Sequence, residues 1–152
     1  MSVTAPEGFV AAGVSAGIRR SGLDLAVVRS VSPAVGGAVW TTNRVQAAPV
    51  TVSRRHLEVA EPQAVVINSG VANAATGERG VSDAEQSAVA AAGALGVLPE
   101  EVIVLSTGII GVPLPLGKVQ NGLRVAAGLL APGGGNDAAE AILTTDLSLI
   151  HI

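Results

Sequence analysis

Two short polar runs stand where a chemical site could be built, because each follows a short, fully apolar run. The first is Asn68-Ser69-Gly70 with Asn73, after Ala64-Val65-Val66-Ile67. The second is Ser106-Thr107-Gly108-Ile109-Ile110-Gly111, after Val102-Ile103-Val104-Leu105. A glycine at the end of a buried strand lets the backbone approach a ligand closely, and amides exposed there could stabilise a developing oxyanion. The asparagines and serine of the first run could hydrogen-bond a small polar substrate. Both compositions are also those of ordinary strand-ending turns, and from the residues alone that reading is favoured.

Other candidates are weaker. Arg44, in Thr41-Thr42-Asn43-Arg44, has the planar fork that suits a carboxylate, but an exposed arginine after a strand has the same look. His56 lies among Arg54, Arg55 and Glu58, with no Asp or Cys spaced to make it a metal ligand or a base, and is expected at the surface. A phosphate-binding glycine loop and a His-x-x-x-His pair do not occur, and neither does cysteine, which excludes disulfides and thiolate chemistry.

The elements that must position these runs follow from pattern. Strands are predicted over residues 25–31 and 38–42, joined through residues 32–37, with a further strand over 49–53. Buried strands over 64–67 and 102–105 feed the two polar loops, the first loop running over residues 68–80. Ser82 and Glu85 fit a capping box that opens a helix from about Asp83, ending near Gly93 or Gly96. Val119, Leu123, Ala126, Ala127 and Leu130 recur at helical spacing up to the breaker Pro132-Gly133-Gly134-Gly135. A short helix capped by Asn136 or Asp137 then leads into Thr144-Thr145-Asp146. Strands alternating with helices make this an α/β domain, and the hairpin-like opening makes the expected sheet mixed. No internal repeat or dividing linker is visible.

Composition narrows the function class. The 152 residues are 49% hydrophobic, nearly all Ala, Val, Leu and Ile, with Phe9 and Trp40 the only aromatics; mean hydropathy is +0.54, and a chain of this kind has enough apolar surface for a core. Nine basic against twelve acidic residues give a net charge of −3, and Lys118 is the only lysine. Nucleic-acid binding thereby loses both its stacking and its electrostatic term. The apolar stretches are broken well short of the roughly 18–20 residues a membrane span needs, and the first residues lack a basic segment followed by an apolar one, so no signal peptide is expected. A soluble, cytoplasmic protein fits these features.

Five blocks in order carry a more specific likeness. They are Ala5-Pro6-Glu7-Gly8-Phe9 with Ala11-Ala12-Gly13-Val14; Thr41-Thr42-Asn43-Arg44-Val45 with Ala47-Ala48-Pro49-Val50; Asn68-Ser69-Gly70-Val71-Ala72-Asn73-Ala74 with Thr76-Gly77; Ser106-Thr107-Gly108-Ile109-Ile110-Gly111 with Leu114-Pro115; and Ala141-Ile142-Leu143-Thr144-Thr145-Asp146. Together they resemble the N-terminal part of the ornithine acetyltransferase (glutamate N-acetyltransferase) family of arginine biosynthesis. The resemblance implies the fold of a self-cleaving N-terminal-threonine acetyltransferase, which moves acetyl from N-acetylornithine to glutamate through an acetyl-enzyme on a threonine. That threonine heads a second chain after self-cleavage, so alpha and beta chains would form a hetero-oligomer. No metal or bound cofactor is implied; acetyl-CoA is a further substrate in bifunctional members.

By the same resemblance Thr107 and Gly108 match the oxyanion-hole pair, and Thr144 or Thr145 matches a threonine that contacts substrate. Two departures stand out. Val71 replaces a second asparagine of the family loop, and after Asp146 the family's polar Thr-x-Pro-Lys-like segment and later Ala-Thr-Met-Leu cleavage site are not found. Residues 1–146 are therefore expected to be an incomplete alpha-chain domain, inactive alone, and residues 147–152 a non-native tail. The rivals are a related self-processing amidase or aminopeptidase and a free-standing small-molecule-binding α/β module.

Overall fold

The structure, a computed structural model, describes residues 2–144; Thr145 and the expected tail over 147–152 lie outside the described residues. Among these, strands β1 (Phe9–Val14), β2 (Leu25–Ser30), β3 (Ala64–Val71) and β4 (Val102–Ile109) form one sheet in that spatial order. The first two pairings are antiparallel and β3 with β4 is parallel, so the sheet is mixed, as predicted.

Alternation along the strands divides the apolar residues between two faces. Ala12, Val14, Leu25, Val27, Ala64, Val66, Val102 and Val104 point into the larger core. Helices α1 (Ala48–Val59), α2 (Gly77–Leu95) and α3 (Leu116–Leu129) cover that face. Ala11 and Ala26 point the other way, against Ala138 and Ala141 of helix α4 (Gly135–Ile142). Helix α2 ends where expected, at Gly96, whose left-handed backbone (φ 70°) returns its N–H to the Ala92 carbonyl.

Strand β1 went unpredicted because Ala11, Ala12 and Gly13 have low strand propensity. Their smallness has a packing reason. A Cβ on Gly13 would lie 2.1 Å from the Asp137 carbonyl oxygen, and one on Gly134 would lie 1.8 Å from that of Ala11. Helix α4 thus rests almost backbone to backbone on β1. The same contact overturns the expected cap: Gly134 precedes the helix, and Asn136 and Asp137 sit within its first turn.

Three other expectations are corrected. Residues 38–42 are not a strand; the segment ahead of them is tied down by side chains, Gln63 Oε1 accepting from Ala34 N (3.1 Å) and Glu61 Oε2 from Gly36 N (2.8 Å). Residues 49–53 are helical, because Pro49 occupies the first turn, where its missing N–H costs nothing, and Pro49, Val52, Ser53 and His56 share one buried face. Helix α2 starts at Gly77 rather than near Asp83, and exposed Ser82 caps nothing but accepts from Gln86 Nε2 at 3.0 Å.

The surface assignment of His56 also fails: the side chain is buried. Strand β4 is the sheet edge among the described residues, and α1 satisfies its outward backbone groups at Val102 and Val104. Ser53 Oγ donates to the Val104 carbonyl (2.8 Å) and accepts from Val104 N (3.0 Å), while His56 Nδ1 meets the Val102 carbonyl at 2.8 Å. A polar face that reads as solvated in sequence is therefore an edge cover. His56 Nε2 faces Glu85 of α2 at 3.1 Å, and Arg55 pairs with the same carboxylate.

Candidate active site

The two polar runs of the sequence are neighbours in the sheet. In the parallel pair Asn68 lies opposite Ser106, Ser69 opposite Thr107 and Gly70 opposite Gly108. Neither run is a loop at this point, because both strands continue through it. The carboxyl ends of adjacent parallel strands are where open α/β sheets place their ligands.

What bends these ends is the glycine pair. Gly70 and Gly108 have φ of 113° and 129°, which side chains rarely tolerate. Neither leaves room for a side chain: a Cβ on Gly108 would lie 2.3 Å from the Gly70 carbonyl carbon, and one on Gly70 would lie 2.7 Å from Arg19 Cγ. The strand ends thus press on each other and on the segment that joins β1 to β2.

An open cleft of about 700 Å³ lies over this pair, lined by Arg19, Arg20, Gly70, Thr107, Gly108 and Thr144, with Ile18 and Ile109 beside them. Three of the four sequence-predicted residues, Thr107, Gly108 and Thr144, are therefore brought together; Thr145 lies outside the described residues. Thr107 is half-buried, and its hydroxyl makes no hydrogen bond among the described residues, whereas Gly108 is exposed.

The first polar run behaves differently. Asn68 donates from Nδ2 to the Val71 carbonyl (2.8 Å) and accepts from Ser106 Oγ (2.5 Å). Ser69 Oγ donates to the Ala141 carbonyl (2.7 Å), and Asn73 donates to the Gly80 carbonyl (2.8 Å) while accepting from Thr76 Oγ1 (2.8 Å). These side chains are engaged within the protein. Val71 itself is a buried core residue. Arg44 is exposed and does not line the cleft.

Arg19 was not singled out in the sequence. Buried Asp24 accepts from the backbone of Ala16 (2.6 Å) and Arg19 (2.8 Å), folding residues 16–24 into a turn that sends the Arg19 side chain over Gly70. Its Nη1 donates to the Leu143 carbonyl and, at 3.4 Å, to Ser69 Oγ. An aspartate a few residues beyond a Gly-Ile-Arg turn was the available signal, and without the fold it names no partner. Arg20 is exposed and makes no ion pair among the described residues.

Among the described residues no cluster of three or more His, Asp or Glu could hold a metal ion, and no helix is long and apolar enough to cross a membrane. A second cleft of about 390 Å³ lies between residues 34–40 and the sheet, lined mainly by apolar groups such as Phe9, Val65, Trp40 and Leu105. Its polar side chains Ser30 and Gln63 are engaged within the protein, Ser30 Oγ donating to the Ser32 carbonyl (2.6 Å) and Gln63 bonding to Ala34 and Glu61.

Comparison with known proteins fits this geometry. The arginine biosynthesis bifunctional protein ArgJ of Symbiobacterium thermophilum is 55% identical over 147 residues, covering 95% of this chain and 37% of that protein. That of Streptomyces coelicolor is 52% identical over 148 residues, covering 96% and 39%. The chain thus spans little more than a third of the length of the curated relatives it matches. The crystal structure of ArgJ from Bacillus halodurans superposes with a TM-score of 0.91 at 39% identity, over 97% of this chain and 78% of that one. Ornithine acetyltransferase from Mycobacterium tuberculosis, solved in complex with ornithine, superposes with a TM-score of 0.93 at 44% identity, over 97% and 81%. The profile of the ArgJ family matches residues 10–150, and the chain belongs to that family.

Proposed function

We propose that this chain supplies the oxyanion-hole side of an acetyltransferase that moves acetyl from N-acetylornithine to glutamate. The observation that carries the reading is the Thr107 hydroxyl, without a hydrogen bond among the described residues, beside Gly108 at the end of β4 and in the same cleft as Thr144. It is supported by the relative whose structure holds ornithine.

In this reading a threonine from the remainder of the full-length protein attacks the acetyl carbonyl of N-acetylornithine. The carbonyl oxygen becomes an oxyanion, stabilised by the Thr107 hydroxyl and the Gly108 amide. The C–N bond breaks, the ornithine nitrogen leaves with a proton, and acetyl stays on the threonine as an ester. The glutamate amine then attacks that ester through a second oxyanion in the same place, forming N-acetylglutamate and freeing the threonine. Thr144 or Thr145 contacts the substrate.

The proposed partners are N-acetylornithine, glutamate and a beta chain produced by self-cleavage, in a hetero-oligomer in the cytoplasm. That this chain matches about four-fifths of each solved relative's chain but little more than a third of the full-length relatives supports a two-chain arrangement. Acetyl-CoA would be a second acetyl donor, and no metal or bound cofactor is required.

The test is an assay of the full-length protein with N-acetylornithine and glutamate. Appearance of ornithine and N-acetylglutamate in equal amounts is expected. Release of acetate with no glutamate dependence would replace the reading by a self-processing hydrolase, and binding without turnover would replace it by a small-molecule-binding module. The 152 residues alone are expected to turn over neither substrate, having no Ala-Thr-Met-Leu nucleophile segment.

A further inference from the structure

The cleft is assembled from four segments distant in sequence, and the Arg19 side chain of the first reaches two of the others, at Gly70 and at Leu143 just before Thr144. The Arg19 backbone is fixed by Asp24, its stem fills the space that Gly70 leaves by having no side chain, and its guanidinium reaches Ser69 and the Leu143 carbonyl. Leu143 is the residue that ends helix α4 in extended backbone (ψ 140°), immediately before Thr144. The last carbonyls of a helix lack intrahelical partners, and a cation placed there is favoured by the helix dipole. Here Ser69 takes the Ala141 carbonyl and Arg19 takes that of Leu143.

We infer that Arg19 is a positioning residue, holding the exit of α4 so that Thr144 faces Thr107 and Gly108 across the cleft. The inference rests on the proposed acetyl transfer for its kinetic consequences but not for its structural one. Contact runs without a gap from Gly108 to the Gly70 backbone, from Gly70 to the Arg19 stem, and from the guanidinium to the carbonyl preceding Thr144. Nη1 makes the contacts to both Ser69 and the Leu143 carbonyl while Nη2 reaches the Ser21 carbonyl at 3.4 Å, so a lysine, with the charge and three donors but a single, shorter-reaching nitrogen, should hold the Leu143 carbonyl only in part.

The experiment uses the full-length protein with Arg19→Met, which keeps an unbranched stem over Gly70 and removes the donors, and with Arg19→Lys. For Arg19→Met, KM for N-acetylornithine should rise about 10-fold with kcat within about 3-fold, and Arg19→Lys should recover part of the loss. Adding Thr144→Ala to Arg19→Met should worsen KM by no more than about 2-fold, because both changes remove one interaction. Effects that multiply independently, or a Thr144→Ala variant identical to wild type, would overturn the inference. Hydrogen exchange gives a readout that needs no turnover: Arg19→Met should speed exchange at residues 141–144 while the rest of the sheet stays protected. Unchanged exchange there, or faster exchange throughout, would make Arg19 either idle or a general staple of the fold. Failure of wild-type acetyl transfer would sink the proposed function and leave this exchange result standing.

Discussion

The two polar runs are alike in sequence and different in use. Asn68, Ser69 and Asn73 are buried and hydrogen-bonded to the Val71, Ala141 and Gly80 carbonyls, whereas Thr107, one strand away, lines the cleft with a hydroxyl that has no partner among the described residues. A polar side chain whose capacity is filled within the fold shapes a site; one whose capacity is open, and reachable, is available to a ligand. Composition cannot separate the two roles, because Asn, Ser, Thr and Gly serve in both.

Gly108→Ala should have the largest effect, since Gly108 holds both roles at once. Its φ of 129° and a Cβ 2.3 Å from the Gly70 backbone require the strand ends to separate. A stability loss of about 3 kcal/mol or more is expected, together with loss of turnover. An alanine variant with unchanged melting temperature would show that the glycine pair is not what shapes the cleft.

Thr107→Ala should come next and act on chemistry alone. In the full-length enzyme kcat should fall by about 10²-fold, as for the loss of one oxyanion donor. Stability should stay within about 0.5 kcal/mol, because no bond within the described residues is lost. A raised KM with unchanged kcat would make Thr107 a ground-state contact instead.

Asn73→Ala is the mirror case. It removes a buried donor from the Gly80 carbonyl and puts alanine at a φ of 48°, so it should cost about 2 kcal/mol of stability, read by thermal or urea unfolding. Turnover per folded molecule should stay within about 3-fold of wild type. A large kcat effect here with little loss of stability would reverse the roles assigned to the two runs.

How much of this was legible in sequence depended on whether an element's reason was local. The β-branched runs ending in 67 and 105, the αL glycine at 96 and the helical spacing from Val119 were read from neighbours in the chain, and the structure agrees. Strand β1 and the helical state of residues 49–53 were not, because their reasons lie across the molecule. Gly13 is small for Asp137, and Ser53 and His56 are polar for the backbone of β4. The same holds within the cleft. Thr107, Gly108 and Thr144 could be named from family likeness. Arg19 could not, since its partners at Ser69 and Leu143 lie 50 and 124 residues away.

Asp83 refines the rule that an open hydrogen-bonding capacity marks a ligand site, and carries the smallest predicted effect. Its carboxylate, like the Thr107 hydroxyl, has an atom without a hydrogen-bond partner among the described residues: Oδ2 is buried on α2, with Arg79 approaching only to 3.9 Å. Unlike Thr107, it lines none of the clefts described. Burial pushes its pKa above the usual carboxylate range, and the nearby Arg79 charge pulls it only part of the way back. A carboxyl whose pKa is raised by folding favours the folded state when protonated. Any stability it contributes is complete below the unfolded-chain pKa and is lost as pH rises through the folded one. Asp83→Asn should therefore gain on wild type between about pH 4 and neutral pH, by roughly 1 kcal/mol or less, and should leave kcat unchanged. Melting temperatures of the two proteins measured across that range are the check. A difference independent of pH would mean that Asp83 is not strained by its burial, and a changed kcat would mean that an unengaged atom matters to the site even where no ligand can reach it.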